Sequence, residues 1–261
     1  MSFTTYAIAG IGNLGSFIAE ELLILKESGR VKDVVLLSRS VCTVQGIEFV
    51  ISTLPLPALE LQTSLAQAAK AAGVRLFAPS EFATIYSEPK GCPLLAKYQA
   101  RGVLKDLGLP YLLMYTGLFS DFVFVPALGL DIGSGKISYG ADGSFLMSFT
   151  SRRDIAHFLA RILTTLPPAK LEWSTFRIEG ERISFNEIVR QYEQKTGKKL
   201  EVLLLSPEEL EAALKVNPYD FASLLHLSWI KGEGVAGKPE ELSNSVWPEW
   251  NPKKVIEVIA P

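Results

Sequence analysis

The chain has 261 residues, a formal net charge of −2 and 48% hydrophobic residues, which suits one large α/β domain or one domain with a small appendage. Charge this close to balance, with no run of like sign, argues against a nucleic-acid partner or a charged interaction tail. Two cysteines (Cys42 and Cys92) and two histidines (His157 and His226) provide neither a disulfide framework nor metal-ligand spacing, so no metal is expected.

In chain order, residues 6–9 form a short apolar run ending in glycine, and residues 16–27 have helical spacing with Phe17, Ile18, Leu22 and Leu25 on one face. Residues 34–37 and 48–53 are further apolar runs. Residues 59–72 read as a helix ended by Gly73, and residues 74–78 as a strand. A helix is predicted over 94–107, ended by Gly108, and a strand over 111–115. Continuous apolar strands alternating with helices predict a parallel sheet covered on both faces, a Rossmann-type doubly wound α/β fold. Residues 136–150 alternate around turn signals at Gly140 and Asp142-Gly143, which predicts a hairpin. A helix is predicted from Asp154. Capping boxes are predicted at Ser184/Glu187 and Ser206/Glu209. The second half reads as a lid on the sheet. A dinucleotide-binding core is expected over 1–117, with 145–183 returning to it, and a substrate-binding lid over 118–144 and 184–261. The N-terminus lacks a basic stretch before its apolar run, and no span is long enough for a membrane, so a cytoplasmic protein is expected.

Gly10-Ile11-Gly12-Asn13-Leu14-Gly15 is a G-x-G-x-x-G run between a predicted strand and a predicted helix. That context converts a weak motif into a dinucleotide-binding prediction. The first glycine permits a tight turn, the second admits the pyrophosphate, and the third lets helix and strand pack closely. The helix N-terminus then faces the phosphates. The second strand ends Leu37-Ser38-Arg39-Ser40, without the acid that binds NAD ribose hydroxyls. Arg39, helped by Ser38, suits a 2′-phosphate, which selects NADP(H); the competing reading of Arg39 is a solvated loop arginine.

Tyr86 and Lys90 match a Tyr-x-x-x-Lys motif, but Pro89 and Gly91 break the helix that the motif needs. Lys97 lies early in a helix beside the sheet's ligand-binding end, where it could exchange a proton next to a nicotinamide; otherwise it is a solvated helix lysine. His157 and His226 lie in apolar helices and read as structural.

The ordered segments GIGNLG, SRS, ISTL, VRLFAPSEF, AKYQARGVLKDLGLPYLLMYTGLF and FTSRRDIA resemble the NmrA-like and isoflavone-reductase-like branch of the atypical short-chain dehydrogenases, and WPEWNPKKVIEVI resembles its fungal members. The resemblance covers most of the chain. It implies an NADP-binding Rossmann domain with a smaller substrate lid, and in many members reduction of a small aromatic molecule. By the same match Lys97 is the catalytic lysine, with Arg101 one turn later. Thr53, Leu54, Ser80, Glu81, Phe82 and Gly117 line the cofactor, and Phe119 lies beside nicotinamide and substrate. Phe122 and Phe124 are expected to join Phe119 in an apolar substrate pocket against the C-terminal helices, each being equally readable as a core aromatic.

One departure stands out. Family members place a helix, an edge strand and another helix between the SRS and ISTL strands, where this chain has only residues 41–49. Nine residues span at most about 30 Å, which permits a direct link but no covering helix. The expectation is a sheet that lacks an edge strand, with one face and edge bare unless a partner chain or the lid covers them, a weaker adenosine wall, and an opening for a homodimer. The leading function is an NADPH-dependent reductase. Its rivals are an NADP(H)-sensing regulator that binds a protein and a degenerate member that binds no cofactor.

Overall fold

A computed structural model describes residues 2–38, 44–85 and 94–261; Arg39 and the Tyr86–Lys90 motif lie outside the described residues. In chain order the elements are β1 (Thr5–Ala9), α1 (Gly15–Glu27), β2 (Asp33–Leu37), β3 (Phe49–Ser52), α2 (Leu61–Ala71), β4 (Leu76–Ala78), α3 (Leu95–Asp106) and β5 (Leu112–Tyr115). There follow β6 (Leu118–Phe119), β7 (Leu130–Asp131), β8 (Lys136–Gly140), β9 (Leu146–Thr150), α4 (Arg152–Thr165) and α5 (Pro168–Leu171). The chain ends with β10 (Ser174–Arg177), β11 (Glu181–Ser184), α6 (Phe185–Thr196), β12 (Glu201–Leu205), α7 (Pro207–Val216), α8 (Phe221–Ile230) and α9 (Val255–Ile259).

Strands β2-β1-β3-β4 pair in parallel, a Phe77–Tyr111 bridge carries the sheet to β5, and β10 pairs with β5 in parallel. This is the predicted doubly wound sheet. The strands β1, β3, β4 and β5 are buried throughout because helices cover both faces. Tyr6 and Ile8 of β1 point to one face, where they meet Ile18 and Leu22 of α1 and Phe158 and Leu159 of α4. Ala7 and Ala9 point to the other, where they meet Ala66 and Ala69 of α2 and Leu104 of α3.

The short link between β2 and β3 corrects one expectation. The face beside β1 is not bare. Val44 and Ile47, both buried, pack with Ala7, Ala9, Leu37 and Val50, so two aliphatic side chains stand where a helix was missed. The link is tied down at its far end: Thr5 Oγ1 donates to Gly46 C=O (3.0 Å), and the Glu48 carboxylate accepts from Thr4 N–H (2.8 Å) and pairs with Arg75 (3.1 Å). Strand β2 forms the sheet edge among the described residues, with Leu36 46% exposed.

The predicted 136–150 hairpin is a second correction. Strand β8 pairs with β12 and β7, while β9 pairs with β11 and β6. Both edges of β8 are therefore taken, so β9 does not pair with it and joins β11 and β6 instead. The intervening turn, with Ala141 at φ 53° and Gly143 at φ 69°, folds back onto the Tyr139 ring. Asn186 pins it by accepting from Tyr139 Oη (2.9 Å) and donating to Asp142 C=O (2.8 Å). Around these strands a second core gathers Ile137, Tyr139, Phe149, Phe185 and Trp229. Phe185 is fully buried against the rings of Tyr139, Phe145, Phe149 and Trp229. Phe185→Ala is expected to lower stability by about 3–5 kcal/mol, read as a lower urea midpoint at unchanged slope.

Candidate functional site

The ends of β1, β3, β4 and β5 converge on one rim of the sheet, and the glycine loop lies on it. Gly10 has φ 98°, and a Cβ there would stand 2.8 Å from the Thr53 carbonyl oxygen. A Cβ on Gly15 would collide with the Gly10 carbonyl and the Thr53 hydroxyl, so the turn and the first turn of α1 can close only on glycine. Gly12 faces open space. Asn13 is exposed and Leu14 buried. Leu14, at the N-cap of α1, supplies no capping side chain, and the first turn carries no acid. Ser16 N–H donates to Gly12 C=O (3.3 Å), and with no side-chain cap the rest of the first turn presents its N–H groups and the helix's positive end to the space over Gly12. That arrangement fits a pyrophosphate.

Thr53 Oγ1 donates to Gly10 C=O, joining β3's end to the loop. Ser80 Oγ donates to Leu54 C=O (3.0 Å), and Ser80 N–H donates to Gln62 Oε1 (2.7 Å). Gln62 is buried and escaped the sequence reading, since a glutamine on a helix face carries no signal of its own. Ser38 follows β2 and is exposed; Arg39 next to it lies outside the described residues.

Lys97 lies in the first turn of α3 and donates from Nζ to the main-chain carbonyl of Glu81 (3.4 Å). Arg101, one turn on and on the same helix face, places Nε 3.3 Å from the buried Glu81 carboxylate and donates to Tyr115 Oη (3.3 Å). Burial lowers the Lys97 pKa from its ordinary value; the Arg101 charge lowers it further, while Glu81 opposes both. Burial and then the Glu81 charge push the Tyr115 phenol up. Phe82 is buried in the first core. Gly117 (φ 68°) passes so close to the Ser148 main chain that any Cβ would collide with it.

The segment after Gly117 leads to a cavity of about 380 Å³ lined by Ser120, Asp121, Phe122, Phe124, Tyr192 and Ile259. Phe122 and Phe124 are thus on its wall. Phe119 is not: it packs against the first core. Arg152, which the sequence reading passed over, bridges loop and lid. Its Nε pairs with Asp121 (3.1 Å), another nitrogen donates to Asn13 C=O (3.3 Å), and its guanidinium lies over the rings of Phe17 (5.3 Å) and Phe122 (5.1 Å). His226 is buried with Nε2 3.0 Å from Leu128 C=O, and His157 stands edge-on to Trp247. Among the described residues no cluster of His, Cys, Asp or Glu could hold a metal, and no helix is long and apolar enough to cross a membrane.

A model of the NmrA-like family matches residues 28–252. The chain belongs to the NmrA-like family. The match begins beyond the glycine loop, so the loop's geometry and the family assignment are independent observations. An isoflavone reductase homologue (A622) from Nicotiana glauca is 28% identical over 213 residues, covering 73% of this chain and 65% of that protein. The match thus spans somewhat less than two thirds of the relative's length. The fold is that of leucoanthocyanidin reductase from Vitis vinifera, solved as a binary complex with NADPH (TM-score 0.76, 20% identity, 97% of each chain). It is also that of an NADPH-dependent quinone oxidoreductase from Escherichia coli, solved with NADPH (TM-score 0.74, 20% identity, 98% of this chain and 99% of that one).

Proposed function

We propose that the protein is an NADPH-dependent reductase of a small aromatic or carbonyl-bearing molecule. The observation that carries this reading is Lys97: an amine with a lowered pKa, held by the Glu81 carbonyl on the rim where the glycine loop opens. The relatives' names and the NADPH in two similar structures support it. The dinucleotide, when bound, supplies the hydride. Gly10, Gly12, Asn13, Leu14 and Gly15 hold its pyrophosphate, and Ser38 and Arg39 its 2′-phosphate. Thr53, Leu54, Ser80, Glu81, Phe82 and Gly117 line the rest of its path. Lys97 gives a proton to the oxygen that becomes negative during carbonyl reduction. Phe122 and Phe124 face the substrate from the cavity wall, and Phe119, packed against the first core, precedes them on the same segment. In this reading residues 1–117 and 145–183 bind cofactor, and residues 118–144 and 184–261 form the lid. The C-terminal WPEWNPKKVIEVI supports a fungal source, and the absence of a membrane-crossing helix among the described residues is compatible with a cytoplasmic location.

The test is NADPH consumption over a panel of aromatic ketones, enones and quinones. Turnover that vanishes in Lys97→Ala supports the assignment; a full rate in that variant removes it. Arg39 has its own test. Arg39→Ala should cut the preference for NADPH over NADH at least about tenfold, or ~1.4 kcal/mol, in calorimetric titrations. An unchanged ratio assigns the 2′-phosphate to other residues. A second reading, an NADP(H)-sensing regulator, draws on the short link between β2 and β3, which leaves less wall for the adenine end. Turnover of any panel member excludes it.

A further inference from the structure

Strand β12 reads EVLLL and ends the three-stranded sheet β12-β8-β7. It runs parallel to β8, with Glu201 opposite Lys136 and Leu205 opposite Gly140. Glu201 N–H donates to Gly135 C=O, and Leu205 C=O accepts from Ala141 N–H. Residues along a strand alternate between bonding the neighbour and facing away from it. Glu201, Leu203 and Leu205 therefore bond β8, and the N–H and C=O groups of Val202 and Leu204 point to the outer edge. No described strand pairs with that edge. Its side chains are apolar and exposed: Val202 39%, Leu203 58% and Leu204 51%. Soluble proteins blunt such edges with lysine, proline or a bulge, and residues 202–205 contain no such residue.

The segment is complementary to itself. An antiparallel pairing about a two-fold axis at Leu203 sets Val202 of one copy opposite Leu204 of the other, and the reverse. Both positions carry the outward groups, so all four unpaired N–H and C=O groups of each copy find partners. The same axis brings the end of β12 that follows Lys198 in one copy towards the end that leads into Glu208, in the first turn of α7, in the other; both residues are exposed. The strand is preceded by Lys198-Lys199 and followed, after Ser206-Pro207, by Glu208-Glu209, so opposite charges meet at both ends of the junction. The β2 edge, where the sequence alone placed a dimer, fits less well: it is only partly exposed and begins with the Lys26–Asp33 ion pair (2.7 Å).

We propose that two copies of this chain dimerise by antiparallel pairing of their β12 strands, joining two three-stranded sheets into one of six. A closed two-fold contact of this kind uses one surface twice and stops at two copies.

Sedimentation of the full chain over a range of concentrations tests the proposal. The wild type should reach twice 28.6 kDa. Leu204→Pro removes an outward N–H without touching the bonds to β8, and Leu203→Lys brings like charges together at the axis. Both should sediment as monomers with unchanged circular dichroism and thermal midpoint. Lys198→Glu should raise the dissociation constant about tenfold, and Lys198→Glu with Glu208→Lys should restore it. A wild type that stays monomeric, a dimer that survives Leu203→Lys and Leu204→Pro, or assemblies that grow beyond two copies would each overturn the proposal. If the strand variants do not fold, the exposed charge pair decides. Absence of weakening in the single reversal, or of rescue in the double one, overturns it too.

Discussion

Gly15→Ala should both destabilise the protein and abolish NADPH binding, whereas Gly12→Ala should weaken binding alone. The difference lies in what the added methyl meets. At Gly15 it falls on the Gly10 carbonyl and the Thr53 hydroxyl, neither of which can retreat, because Thr53 is itself bonded to Gly10. Overpacking of this kind costs about 1–3 kcal/mol. The loop must also shift, which spoils the N–H array over α1. At Gly12 the methyl enters open space, so the fold is unaffected, but that space is where the pyrophosphate would lie. A loss of about 100-fold in affinity, ~2.7 kcal/mol, is expected there. Urea unfolding separates the first effect and calorimetry the second. Wild-type NADPH affinity in Gly12→Ala would remove the loop from cofactor binding.

Lys97→Met should lower kcat by about 10²–10⁴ with little change in KM, since the lost interaction is a proton transfer made in the transition state. The pH dependence follows from the direction of the Lys97 shift. As a proton donor Lys97 must be charged, so the rate is full below its lowered pKa and falls as pH rises through it. Glu81→Gln removes the charge that opposes the shift, so this limb should move to lower pH. Arg101→Gln removes a like charge, so it should move to higher pH. A limb that stays in place in both variants would show that Lys97 is not the titrating group.

Much of the parallel sheet was legible because strands buried on both faces read as continuous apolar runs, as TYAIA and FVIS do. Local capping was partly legible. Ser206 and Glu209 form both bonds of a capping box, whereas Ser184 caps its helix while Glu187 turns to Arg190 and Gln191. Helix α4 starts at Arg152 under a Ser151 cap, with Asp154 in its first turn rather than at its start. What the sequence hid depends on pairing between distant segments. The alternation of 136–150 is real, but the partners of β8 and β9 include β12 and β11, far along the chain. Arg152 is similar: its role rests on Asn13 and Asp121, which no local spacing brings to it. Val44 and Ile47 cover a face that length alone declared bare.

At the rim of the sheet, a glycine loop, an uncapped helix end and a lysine of lowered pKa are brought together by β1, α1 and α3. The reading of this rim as an NADPH site is tested most directly by calorimetric titration of the wild-type chain with NADPH and NADH. Saturable 1:1 binding of NADPH, at least about tenfold tighter than that of NADH, is the predicted result. No binding of either dinucleotide would contradict it.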